Sequence, residues 1–286
     1  GHVFKQSAPV VKLSRSASAE DYWRLLGVLN SSVACFWLKE NSQVKGGSGI
    51  GRGIGDEAWE QRYDFTGTTL QDFPLPTTVP GERAGILEKL ARELQQLAPA
   101  RIAAHQTPSQ DVLHAAGAEF RRLRHLMIAH QEELDWEYYG LYNLLDEDLT
   151  YHGEVPEIAL SERAFEIFLA RRIRDGDHTA WFERHGSNPI PDIPDHLPDG
   201  YRKLLQRRLD AVESNPTIRL LEKPEYKRRW AMDAWDKQVE FALRRWLLGR
   251  VEDRALWYDR DGRPSTRSVA QLADMLDRDE EFRDVL

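Results

Sequence analysis

Hydrophobic positions recur at helical spacing through the middle of the chain. Leu87, Leu90, Leu94 and Leu97 are separated by 3, 4 and 3 residues, and Leu113, Ala116, Phe120, Leu123, Met127, His130 and Leu134 by 3, 4, 3, 4, 3 and 4. Such a period puts each set on one face of a helix. The pattern therefore predicts two long helices, joined around Pro99 to Pro108, that pack antiparallel along these stripes. The second, from about Ser109 to Trp136, would be about 40 Å long at 1.5 Å per residue.

Before this hairpin, apolar residues Val3, Phe4, Val10, Val11 and Leu13 predict an extended segment interrupted by Pro9. Glu20 and Asp21 open a helix with Tyr22, Leu25, Leu26 and Leu29 as its apolar face, and a short helix over Ser32 to Lys39 follows. In the run from Gly46 to Gly55, six of ten residues are glycine, which predicts a loop without regular structure. Order resumes over Trp59 to Phe65 and Thr68 to Phe73, and Pro74-Leu75-Pro76 ends the segment. After the hairpin, helices are expected over Ser161 to Arg184, with Ser161 as cap, and over Tyr201 to Ser214, Pro224 to Glu252 and Ser268 to Leu286. The proline-rich stretch Ser187 to Pro198 reads as a surface loop. The fold class is mainly α with a small β contribution (α+β). Its expected divisions are a segment over 1–80, a helical hairpin over 81–152 and a C-terminal helical domain over 153–286.

Composition supports an ordered, globular chain: 286 residues with 41% hydrophobic and 10% aromatic content, nine of them Trp. The longest apolar stretch, Leu25 to Leu38, is interrupted by Asn30, Ser31 and Ser32 and is too short to span a bilayer. The single cysteine, Cys35, excludes an internal disulfide and a two-thiol metal site, and a reducing, cytoplasmic location is expected. Cys35 itself reads as a small buried hydrophobe. Gly1 and His2 look like the scar of a cleaved tag and the first methionine is Met127, so a piece of a longer protein is expected.

The net charge of −8 argues against generic polyanion binding, but the charge is unevenly placed. Residues 1–55 carry seven bases against three acids, and residues 219–250 nine against five, the latter interleaved with Tyr226, Trp230, Trp235, Phe241 and Trp246. Two basic regions on an acidic body suit a duplex-binding protein with limited phosphate contacts, because local charge sets such binding. The competing reading is an amphipathic helix with solvated bases and core tryptophans.

Catalytic signatures are sparse. The glycines at 47, 49, 51, 53 and 55 alternate, so no Gly-x-Gly-x-x-Gly frame exists, and Gly46 to Gly51 followed by Arg52 lacks the P-loop lysine. Lys45 and Arg52 on a loop whose backbone can approach closely suit entry into a DNA groove, with a surface loop of no role as the alternative. Pro198-Asp199 with Glu225-Tyr226-Lys227 has the letters of a magnesium-dependent nuclease core, but Glu225 to Lys227 is expected to begin a helix and not a strand. His125 and His130 are five apart and do not share a helical face as zinc ligands four apart would. The acidic cluster Asp146, Glu147 and Asp148 reads as a solvated turn.

Several segments together resemble one family. Leu25-Leu26-Gly27-Val28-Leu29-Asn30-Ser31-Ser32, Phe36-Trp37-Leu38-Lys39, the glycine-rich loop, Tyr63-Asp64-Phe65-Thr66-Gly67-Thr68 and Phe73-Pro74-Leu75-Pro76 are similar to the target-recognition region of large adenine-specific DNA methyltransferases. The nearest branch is BREX (phage growth limitation), related to type IIG restriction enzymes. Met127 to Glu137, Leu141 to Leu144, Pro224 to Trp230 and Trp257 to Pro264 resemble the same branch, so the likeness covers most of the chain. It implies methyl transfer from S-adenosylmethionine to a flipped adenine, marking host DNA for phage defence. The catalytic half of such enzymes carries Asn-Pro-Pro-aromatic, and the nearest approach here, Asn188-Pro189-Ile190-Pro191, lacks the second proline and the aromatic. The resemblance thus implies the C-terminal specificity half, inactive alone, with S-adenosylmethionine held in the missing catalytic half.

On this reading the expected DNA contacts are Lys39, Lys45 and Arg52 from the glycine-rich loop and its flank, and Lys227, Arg228 and Arg229 from the C-terminal helices. The expected partners are double-stranded DNA, the catalytic half of the same polypeptide and other defence subunits. An interaction scaffold and an independent nuclease using Asp199, Glu225 and Lys227 stay open.

Overall fold

The computed structural model describes residues 10–44 and 57–286. The helices α1 (Ala19–Leu29) and α2 (Ser32–Glu40) lead into a two-stranded antiparallel ribbon, β1 (Gln43–Val44) with β2 (Tyr63–Asp64), in which Gln43 pairs with Asp64 and Val44 with Tyr63. Then come α3 (Gly67–Gln71), α4 (Glu82–Leu97), α5 (Pro99–His105), α6 (Gln110–Leu141), α7 (Ala164–Arg174), α8 (Trp181–His185), α9 (Asp199–Ser214) and α10 (Pro216–Leu221). The chain ends with α11 (Trp235–Val251), α12 (Arg254–Trp257), α13 (Val269–Asp277) and α14 (Glu280–Val285). The fold is mainly α with a minor β element, as the periodicity predicts.

Two compact units form. The first comprises the described residues up to Lys89 together with His125–Ala231, and the second Leu90–Arg124 with Met232–Leu286. The core of the first gathers Val28, Ala34, Ile128, Ala129, Trp136, Tyr139, Ile167, Leu205, Leu209 and Ile218, and a satellite cluster joins Trp59, Phe165, Trp181 and Phe182. In the second, Ile102, Leu113 and Ala116 are buried against Leu97, Trp235, Val239 and Leu243, so α5 and α11 share a core with the start of α6.

The stripe predicted on α6 is buried from Leu113 to Leu134, with His130 half-buried. Between Met127 and Tyr139, however, burial runs around nearly the whole helix and includes Gln131, Glu132, Glu133 and Asp135. Over this stretch α6 is enclosed nearly on all sides and is a central element of the first unit.

Four expectations are corrected. The turn between the long helices holds a helix of its own, α5, because Pro99 at its first turn costs no hydrogen bond. Ser161 caps nothing: it is buried with φ 79°, and the expected single helix over Ser161 to Arg184 divides into α7 and α8. No helix begins at Pro224; residues 222–234 are irregular, because Lys227 turns inward to meet carboxylates that a continuous helix would not bring to it. On α1 the expected face is displaced: Tyr22 is 49% and Leu26 45% exposed, whereas Gly27 and Val28 are buried. The missing side chain of Gly27 draws that side inward, since a Cβ there would lie 3.1 Å from Ala84 Cβ and 3.2 Å from Tyr138 Oη.

Candidate nucleic-acid interface

The segment Glu225 to Trp230 is irregular, yet two charged side chains hold its carbonyls and Tyr226 anchors it through its side chain. Lys39, near the end of α2, donates from Nζ to the Glu225 carbonyl. Tyr226 donates its hydroxyl to Glu40 Oε1 at 2.9 Å and meets Phe36 edge-on, with ring centroids 5.1 Å apart. The Arg228 carbonyl accepts from Arg163 Nη1 at 3.0 Å. Arg163 is itself fixed by two parallel bonds to Glu166, 2.9 Å from Nε and 2.8 Å from Nη2, a pairing whose geometry is rigid.

Lys227 lies inside. Its ammonium is 2.8 Å from Asp135 Oδ2, 2.8 Å from Glu222 Oε1 and 3.4 Å from Glu132 Oε2. The three carboxylates outweigh burial and hold the lysine well above its ordinary range. Burial is the largest influence on Glu222 and pushes its carboxyl up to about 7, although Lys227 and the Tyr139 hydroxyl, donating at 2.6 Å, both favour the ionised form. For Glu132, burial is opposed by Lys227, Arg208 and Arg163, which together leave it below the usual range. Nearby, Glu133 accepts from Arg208 Nη2 and from the Tyr151 amide, each at 2.7 Å. Buried charges persist only when compensated in this way.

Tyr226 and Lys227 thus face in, whereas Arg228 and Arg229 face out. The Arg228 guanidinium lies 4.8 Å from the Trp230 ring centre and 3.4 Å from Asn30 Oδ1, and that of Arg229 lies 5.9 Å from the Trp59 ring. Trp59 lies in a short helical turn over Ala58–Glu60, just before β2. There Glu57 accepts from Trp59 Nε1 at 2.7 Å, from Thr179 Oγ1 at 2.5 Å and from the Ala180 amide, and these bonds outweigh burial to lower its pKa.

Of the described residues expected to contact DNA, only Arg228 and Arg229 are exposed, and partial burial of Arg228 against Trp230 and Asn30 lowers its pKa. Lys39 is buried over the Tyr63 and Tyr226 rings, and burial lowers its pKa. Lys227 is removed from solvent by its carboxylates, which also denies it to the nuclease reading with Asp199 and Glu225. Lys45 and Arg52 lie outside the described residues. Among those described, no group of His, Cys, Asp and Glu assembles that could hold a metal ion. Cys35 is half-buried, and burial raises its thiol. Sequence reasoning missed the inward roles of Glu132, Glu133, Asp135, Arg163, Arg208 and Glu222. A signal existed, because the acids Glu132, Glu133 and Asp135 are interleaved with Leu134 and Trp136 and followed, after Glu137, by Tyr138 and Tyr139.

Residues 127–286 match a protein family described as a domain of unknown function, DUF7008. Over its whole length the chain is also 47% identical to an adenine-specific methyltransferase, PglX, of Streptomyces coelicolor, of which it spans 24%. The matched part is C-terminal, in agreement with the resemblance read from the sequence. No solved structure matches. The family match takes in every member of the buried ionic cluster, from Glu132 to Lys227, and the chain belongs to the DUF7008 family.

Proposed function

We propose that this chain is the target-recognition part of an adenine-N6 DNA methyltransferase of a BREX-type phage-defence system, acting in the cytoplasm. The observation that carries the reading is its 47% identity, along its full length, to PglX. The arrangement around Arg228 and Arg229 supports it: two outward guanidiniums on a backbone that Lys39, Lys227 and Arg163 hold in place lose little freedom on meeting phosphates. No helix of the described residues is long and apolar enough to cross a membrane.

Methyl transfer belongs, in this proposal, to a catalytic half of the same polypeptide. That half holds S-adenosylmethionine and the Asn-Pro-Pro-aromatic motif that this sequence lacks. Arg52 and Lys45 remain the expected groove contacts, and other defence subunits the expected protein partners. A docking role beside DNA binding is favoured by an apolar groove of about 550 Å³ lined by Val10, Val11, Leu25, Leu29, Phe73 and Leu75.

The test is fluorescence anisotropy of the chain with a long mixed-sequence duplex at several salt concentrations. Binding that weakens linearly in log–log form supports the reading and counts phosphates. Absence of binding at low salt overturns DNA recognition by this chain.

A further inference from the structure

In the second compact unit, Trp257 to Ser265 forms a tight exposed hairpin. The Ser265 amide donates to the Trp257 carbonyl at 2.8 Å and the Asp259 amide to the Arg263 carbonyl at 2.9 Å, with Tyr258 bridged to Pro264. Its tip, Asp259-Arg260-Asp261-Gly262, closes through the Asp259 carboxylate, whose Oδ1 accepts from the Asp261 and Arg263 amides at 2.9 Å each. Gly262 takes φ 77°, a left-handed conformation that favours glycine. One of the hairpin's two acids is therefore spent on its own turn.

What the hairpin displays is basic and aromatic. Arg260 and Arg263 are exposed and form no ion pair with any described acid, with Asp261 the neighbouring carboxylate. Beside the hairpin, Arg254 stacks on Tyr258 with its guanidinium 4.7 Å from the ring centre, and Arg267 donates from Nε to the Leu256 carbonyl at 2.8 Å. Trp257 and Tyr258 each keep 39% of their surface exposed, and Trp257 is fixed by a 2.7 Å bond from Nε1 to the Val251 carbonyl. Single exposed arginines or aromatics are ordinary, but here two aromatics and four arginines are gathered within one short exposed segment, and such a grouping marks an interaction site. Unpaired guanidiniums on a preorganised turn, next to fixed aromatic faces, match the needs of a phosphate backbone with its sugars.

We infer that the hairpin over 254–267 is a second contact with duplex DNA, made through Arg260 and Arg263 to phosphates. The inference rests on the DNA-recognition reading and adds to it an element outside the unit that holds Arg228 and Arg229.

The experiment uses the full chain, a fluorescein-labelled mixed-sequence duplex and a salt series. It compares the wild type with Arg260→Gln/Arg263→Gln, Arg260→Lys/Arg263→Lys and Arg228→Gln/Arg229→Gln. The glutamine pair in the hairpin is expected to cut affinity about tenfold near 100 mM salt and to flatten the salt slope by about 1 to 2. The lysine pair is expected to keep the slope, and thermal melting should show both variants folded. An unchanged slope in the glutamine pair, with weakened binding in the Arg228 and Arg229 variant, overturns the hairpin alone. A wild type that binds no duplex at low salt overturns both readings.

Discussion

Asp135 divides its carboxylate between two parts of the chain: Oδ2 lies 2.8 Å from Lys227 Nζ, and Oδ1 accepts the Ser32 amide at 2.8 Å. The same side chain therefore meets the free N–H groups at the start of α2, where a negative charge is favourable, and neutralises a lysine from a segment far away in sequence. Gln131 extends this link, donating to the Asn30 carbonyl at 3.0 Å. The N-terminal helices and the loop before α11 are thus registered against one turn of α6.

Removing Lys227 should show that it is structural. Lys227→Met leaves Glu132, Asp135 and Glu222 buried without their cation, and breaking such a cluster by deleting one partner costs about 3–5 kcal/mol. Denaturant unfolding is expected to record that loss. A fall below about 1 kcal/mol would mean that the carboxylates find water or protons at little cost.

Glu222 gives the cluster a pH dependence of defined sign. Its folded pKa of about 7 lies above the ordinary value of 4.5, so between these values the folded state binds more protons than the unfolded one. Its contribution to stability is complete below 4.5 and is lost as pH rises through about 7. Glu132, held low by its cations, works in the opposite sense and loses its contribution on acidification. Unfolding of the wild type minus that of Glu222→Gln, measured across pH 5 to 8, isolates the first effect. The difference should fall steadily with rising pH, and a flat difference would contradict the raised carboxyl.

Two glycines of the second unit should respond oppositely to alanine. At Gly117, on α6, a Cβ would lie 2.8 Å from Trp235 Nε1 and 2.9 Å from its Cε2, so the indole must move out of its contact with Phe120. Gly117→Ala is expected to cost about 1–3 kcal/mol. At Gly249, on α11, nothing stands within 4 Å, and Gly249→Ala should stabilise by about 0.5–1 kcal/mol through helix propensity and chain entropy. Melting temperatures of the two variants check both signs.

The helices were legible in the sequence where one face alone is buried. The α6 stripe from Leu113 to Leu134 announces itself by period, whereas the one cap expected, Ser161, caps nothing, and the capping roles of Ser18 and Ser268, whose side chains accept from the Asp21 and Gln271 amides, emerge only in the structure. Legibility failed where burial is set by partners distant in the chain. Glu132, Glu133 and Asp135 are given no inward role by the period, because Arg208 and Lys227, which neutralise them, come from distant parts of the chain and no local pattern states that meeting. For the same reason Lys39 and Lys227 looked like phosphate ligands: a basic run reveals charge, but the direction of each side chain depends on tertiary contacts. The doublet Arg228-Arg229 survives as a surface because the irregular backbone of 225–230 turns Lys227 in and its two neighbours out.

That alternation yields the last prediction. If the loop displays Arg228 and Arg229 because its backbone is clamped, weakening a clamp should damage DNA binding without touching a guanidinium. Lys39→Met removes the donor to the Glu225 carbonyl, and it also relieves the burial of an ammonium whose pKa is already lowered. Its cost to stability is therefore expected to stay at or below about 1.5–3 kcal/mol, the range of a hydrogen bond made by a charged group. On the proposed DNA-recognition reading, its effect on duplex affinity should exceed its effect on the salt slope, since Arg228 and Arg229 would keep their phosphate contacts but be less preorganised. Arg228→Gln/Arg229→Gln should instead change slope and affinity together, by about 1 to 2 in slope. Equal slope changes in the two variants would mean that Lys39 reaches phosphate itself, and that the clamp opens when DNA binds.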